Sequence, residues 1–197
     1  MEAVKPTPEH EWLKQLLGDW TLTGECDMGP DQPSAKTTGT EHARALGEMF
    51  VVGEGRGEMP GGGTGTMLMT LGYDDQKKRF VGSWAGSMMT TMFFYDGELD
   101  AARKVLTLNT EGPSFKGDGT TARYQDVITI ISPDERTLHS QTPGPDGQWK
   151  RFMTATYKRV KKWKSMAAGG QAPSGALETG SGYPHVFFQS PANSGRK

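Results

Sequence analysis

The chain has 197 residues, a net charge of −1 and 27 glycines, its commonest residue. Proteins that bind nucleic acid carry an excess of basic residues to contact its phosphates. This chain has no such excess, so we expect no nucleic-acid partner. The single cysteine, Cys26, excludes an intrachain disulfide and favours a cytoplasmic location. No apolar run is long enough to span a bilayer and the N-terminus lacks the pattern of a secretory signal, so we expect no membrane association.

The first predicted element is a short amphipathic helix over about residues 8–17. Thr7 can cap its first turn, and Pro8 suits the first helical position, where a missing N–H is harmless. Its apolar side chains recur on one face at helical spacing, and they are Trp12, Leu13, Leu16 and Leu17. Gly18 ends the pattern. We expect this helix to lie against the apolar interior of a larger fold.

From Trp20 onward, apolar and polar residues alternate, which is the pattern of a strand with one buried face. Between turns rich in Gly, Pro and Asp, the pattern predicts strands near residues 19–28, 36–46, 48–58, 65–73, 79–87, 90–98, 104–112, 120–131, 136–142 and 148–160. No connection is long enough for a parallel crossover. The sequence therefore predicts an all-β fold, a single antiparallel up-and-down barrel of about ten strands, with the short N-terminal helix closing one end.

The last segment of the chain differs in composition from the rest. Residues 163–197 are rich in Gly, Ala, Ser and Pro and show no periodicity. Such a composition buries too little apolar surface to offset the entropy of ordering the chain. We therefore predict a barrel domain over residues 1–162 and a low-complexity, disordered tail over residues 163–197.

Six motifs within the first 160 residues are distinctive in combination. They are HEWLKQLLGDW, GTEHARALG, VVGEGRGEMPGG, MTLGYDDQKKRFVGSW, TEGPSFKGDG and GQWKRFMTATYKR. Together they resemble the bacterial family known as domain of unknown function 1579, which is itself similar to the lipocalin, calycin and nitrobindin group of small barrels. The resemblance implies a barrel fold and brings no assigned activity.

The same resemblance implies a structural role for Gly18 and Trp20. In the related barrels a Gly-x-Trp opens the first strand, the tryptophan plugs the closed end, and an Arg or Lys of the last strand packs over the indole. Arg159, Lys158 and Arg151 are the candidates for that cation–π contact here. A large buried aromatic at the base of a barrel suits a structural role better than contact with a ligand.

The candidate ligand-binding wall is rich in methionine and aromatic residues. Seven of the 11 methionines lie between residues 49 and 92. Methionine repacks at little cost, so it suits a cavity that adapts to an apolar guest, although the same side chains could fill a core that has no cavity. The candidate wall residues are Met67, Met69, Trp84, Phe94 and Tyr124.

Acidic residues within the predicted strands form the second candidate group. An inward carboxylate in an apolar lumen has a raised pKa and needs a polar partner. Glu54, Glu111 and Asp126 are therefore candidates to hold the polar end of a ligand, and Glu41 belongs to the same class. The alternative is that these side chains face solvent, because a strand with one buried face also has a wet one.

These residues leave three functional hypotheses open. The favoured one is a carrier or sensor that binds a small apolar or amphipathic molecule in the lumen and needs no cofactor. The second is a cofactor-free enzyme with an inward carboxylate as general base. The third is a haem-binding barrel resembling nitrobindin, with His139 on a late strand as the candidate iron ligand. The four histidines and Cys26 show no metal-ligand spacing, so we expect no metal site.

Truncation tests the predicted tail. We expect a chain that ends at Lys164 to keep the melting temperature of the full chain, because the removed segment lacks the apolar pattern of a packed element. Differential scanning calorimetry of the two chains measures this directly. A large drop in the melting temperature of the shorter chain would show that the tail packs on the barrel.

Overall fold

The computed structural model describes residues 5–29, 32–59 and 62–161, which form one antiparallel sheet and a short helix. The strands are β1 (Gly18–Cys26), β2 (Ala35–Leu46), β3 (Phe50–Glu58), β4 (Thr64–Asp74), β5 (Arg79–Gly86), β6 (Met92–Leu99), β7 (Val105–Pro113), β8 (Thr121–Ser132), β9 (Glu135–Pro143) and β10 (Trp149–Arg159). Each observed strand end lies within two residues of its predicted position. The tail predicted over residues 163–197 lies outside the described residues.

The ten strands close into a barrel in which neighbours in the chain are neighbours in the sheet. β1 and β10 pair antiparallel from Trp20 opposite Arg159 to Cys26 opposite Met153, and this pairing completes the ring. Because successive side chains of a strand point to opposite faces, every second residue lies in the lumen. The predicted fold class, an up-and-down barrel with a short N-terminal helix, is confirmed.

The helix covers one end of the barrel, which we call the closed end. α1 (Pro8–Leu13) continues into a 3-10 turn (Lys14–Leu16). Trp12 packs its ring 5.7 Å from that of Phe80 on β5, and its Nε1 donates to the carbonyl oxygen of Arg103 at 2.9 Å. A buried cluster joins helix and strands, and it consists of Trp12, Leu13, Leu16, Ala43, Val51, Met69, Leu71, Phe80, Tyr95, Leu106, Leu108 and Ile128. No helix in the described part of the chain is long and apolar enough to cross a bilayer.

Gly18 and Trp20 meet Arg159 at the closed end. Trp20 is 1% exposed, and its Nε1 donates to the carbonyl oxygen of Leu16 at 2.9 Å. Of the three candidate cations, Arg159 makes the expected contact, with its guanidinium carbon 4.1 Å from the centre of the Trp20 ring. Gly18 has a φ of +117°, and a Cβ there would lie 2.6 Å from Nη1 of Arg159. The glycine therefore leaves room for the guanidinium that packs over the tryptophan.

The Gly18→Ala variant tests this arrangement. We expect its free energy of unfolding to fall by about 3 kcal/mol, because the positive φ disfavours an L-residue and the new methyl group displaces the Arg159 guanidinium. Chemical denaturation measures the loss.

Gly29→Ala is the matched control for backbone strain. Gly29 has a similar φ of +102°, but a Cβ there meets nothing within 4 Å. We expect this variant to lose only about 1 kcal/mol. Equal losses in the two variants would contradict the role of Gly18 in making room for Arg159.

Candidate functional site

The two halves of the lumen differ in how they are filled. Near α1, the buried cluster occupies the interior, and Leu71, Leu106, Leu108 and Ile128 have no exposed surface. Towards the opposite end, which we call the far end, glycines line one wall and aromatic rings line the other. The far half is therefore the candidate site for a ligand.

β3 builds the glycine wall. Gly53, Gly55 and Gly57 alternate with outward charged residues, so this strand presents three successive glycines to the lumen. A Cβ at Gly53 would lie 3.3 Å from the carboxyl carbon of Glu41, and one at Gly55 would lie 3.5 Å from Cε of Met67. Bare backbone thus forms this wall, and the side chains of Glu41 and Met67 lie over parts of it.

A group of aromatic rings centred on Tyr124 faces this wall, because β8 lies halfway around the ten-strand ring from β3. Tyr124 on β8 is 6% exposed, and the ring centroids of Phe93, Phe115 and Phe152 lie 6.2, 5.4 and 6.0 Å from its own. The Trp84 ring lies 5.9 Å from that of Phe93. All these contacts are edge to face, the geometry that aromatic quadrupoles favour. We call these five residues the aromatic cluster.

A polar centre lies beside the aromatic cluster, on the inner face of β8. Oδ2 of Asp126 accepts the hydroxyl hydrogen of Tyr95, and Oδ1 accepts that of Ser140. Burial raises the pKa of Asp126 above its ordinary value of 3.8, although both hydroxyl bonds act in the opposite direction. Burial, together with the negative charge of Asp126, also raises the pKa of Tyr95 well above its ordinary value. The centre offers hydrogen-bonding groups within an otherwise apolar wall.

A buried ion pair forms the second polar centre, nearer the closed end. Nη2 of Arg136 donates to Oε1 of Glu41, and the two side chains are 1% and 9% exposed. The guanidinium carbon of Arg136 lies 4.8 Å from the centre of the Trp20 ring and 4.2 Å from that of Tyr157. These aromatic faces and the carboxylate offset part of the desolvation cost of the charge. Burial, and then the Glu41 carboxylate, raise the pKa of Tyr157 above its ordinary value.

Three buried side-chain atoms have no hydrogen-bond partner among the described residues. They are Nε and Nη1 of Arg136 and Oγ1 of Thr110. Thr110 lies on the inner face of β7 and is 8% exposed. An unpaired buried polar atom costs about 1–3 kcal/mol, so such atoms mark positions for water or for the polar atoms of a ligand.

Sequence comparison assigns this barrel to a family. Residues 5–159 match the model of a family described as "Protein of unknown function (DUF1579)". The chain belongs to the DUF1579 family. The match spans all ten strands, in agreement with the motifs that carried the resemblance. No curated protein matches the chain.

Several solved structures are similar to this DUF1579 barrel at low sequence identity. The crystal structure of Rv2717c from M. tuberculosis is 14% identical, covers 80% of this chain and 100% of its own, and has a TM-score of 0.55. The S-type phycobiliprotein lyase CPES from Guillardia theta is 13% identical, with 80% and 95% coverage and a TM-score of 0.49. The redesigned barrel mFAP1, bound to DFHBI, is 18% identical, with 74% and 96% coverage and a TM-score of 0.40. The likeness to Rv2717c, at 14% identity, shows the fold alone.

The DUF1579 barrel places five of the eight predicted ligand-binding residues in the lumen. Strand alternation puts them on the inner face, and they are Met67, Met69, Trp84, Tyr124 and Asp126. Tyr124 donates its hydroxyl hydrogen to the carbonyl oxygen of Pro113 at 2.6 Å, and burial raises its pKa. A role for these five residues in ligand binding stays a prediction.

The other three predicted residues lie on the outer face. Phe94 is 69% exposed, and Glu54 pairs with Nε of Arg44 at 3.5 Å. Glu111 is exposed and lines an outer cavity together with Phe94. The structure therefore separates these three side chains from the five that face the lumen. They can contact a ligand only from the outer surface of the barrel.

The described histidines do not face the far half of the lumen. His10 is buried in α1, and His42 on the outer face of β2 lies 2.6 Å from Asp19. His139 lies on the outer face of β9, where burial, followed by the charge of Arg151, lowers its pKa. His139 is thus not placed to bind a haem iron inside the barrel. Residues 5–29, 32–59 and 62–161 contain no cluster of His, Cys, Asp or Glu suited to a metal ion.

Sequence reasoning missed Arg136, Thr110 and the glycine wall. The glycines carried a usable signal, because Gly53, Gly55 and Gly57 occupy alternate positions of a strand. Arg136 carried none, since a charged residue in a half-exposed strand ordinarily faces solvent.

The Asp126→Asn variant tests the raised pKa of the polar centre. Because this carboxyl ionises more readily in the unfolded chain, the wild-type barrel loses stability as pH rises from about 4 through the folded pKa, whereas asparagine stays neutral. We therefore compare the free energies of unfolding of the two proteins. The value for the variant minus the value for wild type should rise by about 1.4 kcal/mol per pH unit between about pH 4 and the folded pKa, and it should be constant below about pH 4. Urea unfolding between pH 3 and 8 measures the difference.

Asp100→Asn is the control with the opposite sign. Backbone N–H bonds from Val105 and Lys104 hold the pKa of exposed Asp100 below its ordinary value. Its contribution to stability is therefore complete above about pH 4, so the difference between this variant and wild type should be constant from there upwards. A constant difference for Asp126→Asn over the same range would contradict the raised pKa of Asp126.

Proposed function

We propose that the barrel binds a small apolar or amphipathic molecule in the far half of its lumen. The proposal rests on the arrangement of two walls that face each other across the lumen. One is the bare backbone of β3, and the other is the aromatic cluster. A core that only stabilises the fold gains from filling its interior with side chains, as the half near α1 does. At Gly53 and Gly57 a Cβ would crowd the Glu41 carboxyl and the carbonyl oxygen of Thr38, at 3.3 and 3.0 Å, but at Gly55 it would make only ordinary contacts. Glycine at this inner position gives up the gain, which suits a wall that a guest molecule covers.

The polar groups beside the aromatic cluster support an amphipathic guest. Asp126 and its two hydroxyl partners lie on the inner face, and Oγ1 of Thr110 is buried without a partner among the described residues. A ligand with one hydrogen-bonding group can satisfy this hydroxyl, while its apolar part contacts Met67 and the aromatic rings. As part of the same proposal, the lone Cys26 supports a cytoplasmic setting.

A cofactor-free enzyme is the second candidate, and the inward carboxyl of Asp126 is the observation that favours it. Burial raises the pKa of this group, which is a property of many general bases. However, both oxygens of Asp126 already accept hydroxyl hydrogens, from Tyr95 and Ser140. Abstraction of a substrate proton would require one of these bonds to break, so binding accounts for the arrangement with fewer assumptions.

Filling the lumen tests the proposed function. At Gly55 the new Cβ would make ordinary contacts of 3.5 and 3.6 Å with Met67, so the remainder of a leucine side chain extends into the lumen. We expect Gly55→Leu to weaken the binding of anilinonaphthalene sulfonate by at least about tenfold, because the added isobutyl group occupies the space of the guest. Fluorescence titration of the wild-type and variant proteins measures the change.

Arg56→Leu is the matched control. It adds the same side chain to the same strand, but at an exposed position on the outer face. We expect its affinity for the probe to equal that of wild type, and thermal melts should show that both variants fold. Equal affinity in Gly55→Leu and wild type would place the probe outside the lumen.

Ligand extraction provides an independent readout. Organic extracts of the purified wild-type protein should contain a small molecule that is missing from extracts of Gly55→Leu, as judged by mass spectrometry. Empty extracts from both proteins, together with no binding of the fluorescent probe, would overturn the proposed function.

A further inference from the structure

The sheet of the barrel is split between β6 and β7. Their pairing covers only four positions, from Asp96 opposite Asn109 to Leu99 opposite Leu106. By contrast, β6 stays paired with β5 up to Met92, and β7 stays paired with β8 up to Pro113. Towards the far end, residues 92–95 and 110–113 therefore have ladder partners on one side only. Where the ladder stops, Nδ2 of Asn109 donates to the carbonyl oxygen of Asp96 at 3.1 Å.

A cavity of about 460 Å³ lies at this split. It is lined by the consecutive residues Asn109, Thr110 and Glu111 of β7 and by the consecutive residues Arg123 and Tyr124 of β8. Successive side chains of a strand point to opposite faces of a sheet, so Asn109, Glu111 and Arg123 face outwards, whereas Thr110 and Tyr124 face the lumen. The cavity therefore lies on the outer surface at the split, where it also contacts these two inward-facing residues. The remaining lining residues are Phe94, Asp96 and Trp149.

The Phe93 ring closes the split on the lumen side. Phe93 lies on the inner face of β6, and a Cβ at Gly112 of β7 would collide with its ring. The Phe93 ring therefore reaches from β6 across to β7. It fits there because Gly112 has no side chain. Edge-to-face contacts with Trp84 and Tyr124 hold the ring there. A rotation of the Phe93 side chain about its own bonds, which requires these contacts to break, would open the wall.

The shape and chemistry of the split restrict what can pass. A gap between two neighbouring strands is long in the strand direction and narrow across it, so a flat molecule fits edge-on and a globular one does not. Tyr124 and the exposed Phe94 line it with ring surfaces, which suit an aromatic guest. Thr110 belongs to the same lining, and its buried hydroxyl lacks a partner among the described residues, so a polar substituent that reaches the inner face can bind it.

We propose that the ligand is a planar aromatic molecule with one hydrogen-bonding substituent, and that it enters and leaves through the split between β6 and β7 when Phe93 moves aside. This inference rests on the proposed function, because it names the ligand class and the entrance of the same site. Thr110 binds the substituent, and the glycine wall of β3 receives one face of the ring system. Phe93 is a gating residue in this scheme.

Two probes of equal charge and different shape test the ligand class. Naphthoate is flat, whereas adamantane carboxylate has a globular apolar body. We expect the wild-type barrel to bind naphthoate at least about tenfold more tightly, as measured by isothermal titration calorimetry. Equal affinity for the two probes would overturn the preference for planar ligands.

Exchange rates test the entrance. Stopped-flow fluorescence of naphthoate should show association and dissociation about tenfold faster in Phe93→Leu, with a smaller change in affinity, because the ring no longer spans the split. Gly112→Ala should accelerate exchange in the same direction, since its methyl group displaces the ring without altering Phe93. Thermal melts of both variants show that the barrel remains folded.

Met89→Ala is the control for entry through the far end. Met89 lies outside the aromatic cluster, in the turn between β5 and β6, where it is 41% exposed. We expect its exchange rates to stay within about twofold of wild type. Acceleration by Met89→Ala without acceleration by Phe93→Leu would overturn the lateral entrance while leaving the proposed function intact. Failure of both probes to bind wild type, with empty extracts, would instead overturn the proposed function and this inference together.

Discussion

The Arg159 guanidinium is the interaction on which the closed end of the barrel depends. It packs 4.1 Å from the centre of the Trp20 ring, and its Nη1 and Nη2 donate to the carbonyl oxygens of Leu17 and Gln15. Its Nε donates to the carbonyl oxygen of Pro133 in the turn between β8 and β9. The last carbonyls of a helical segment have no partner within the helix, so a cation placed there is especially stabilising. One side chain thus joins the helical segment, the first strand, the last strand and a distant turn.

This closed end decides where a ligand can lie. With Trp12, Leu13 and Leu16 packed into one end of the lumen, the usable interior is the half that faces away from α1. Arg136 connects the two regions, since its guanidinium carbon lies 4.8 Å from the Trp20 ring while its Nη2 bonds Glu41, whose carboxyl lies over the glycine wall. The ion pair therefore lies at the boundary between the filled half and the far half. Two of the three unpaired buried polar atoms, Nε and Nη1 of Arg136, belong to this pair.

Glycine recurs at inner positions of the far half. Gly53, Gly55 and Gly57 remove side chains from one wall, and Gly112 removes one from the position that the Phe93 ring covers. A glycine within a strand weakens it and marks a place where another group approaches the backbone closely. Here the approaching group is an aromatic ring at the split and, in the function proposed above, a ligand at β3. Recognition and entry thus depend on the same feature, the absence of Cβ atoms.

Sequence reasoning predicted the fold well and the site in part, and the difference has a physical cause. Alternation and turn residues are local, so they located all ten strands and the helix. The resemblance to related barrels implied the contact of Trp20 with a cation of the last strand, which Arg159 makes. Placing Met67, Met69 and Asp126 inside and Glu54 and Phe94 outside required the register of each strand against its neighbours. The period of two cannot supply this, because apolar residues occur on both faces of these strands.

The sequence by itself determined a closed meander of ten strands with a helix at one end, because hydrophobic alternation and turn chemistry act between residues that are close along the chain. Only the tertiary structure decided that Arg136 turns inward to Glu41, which is 95 residues away, and that the sheet splits beside Thr110. These features depend on pairing across the ring and on which side chains meet in the lumen. Such long-range contacts leave no periodic trace in the sequence.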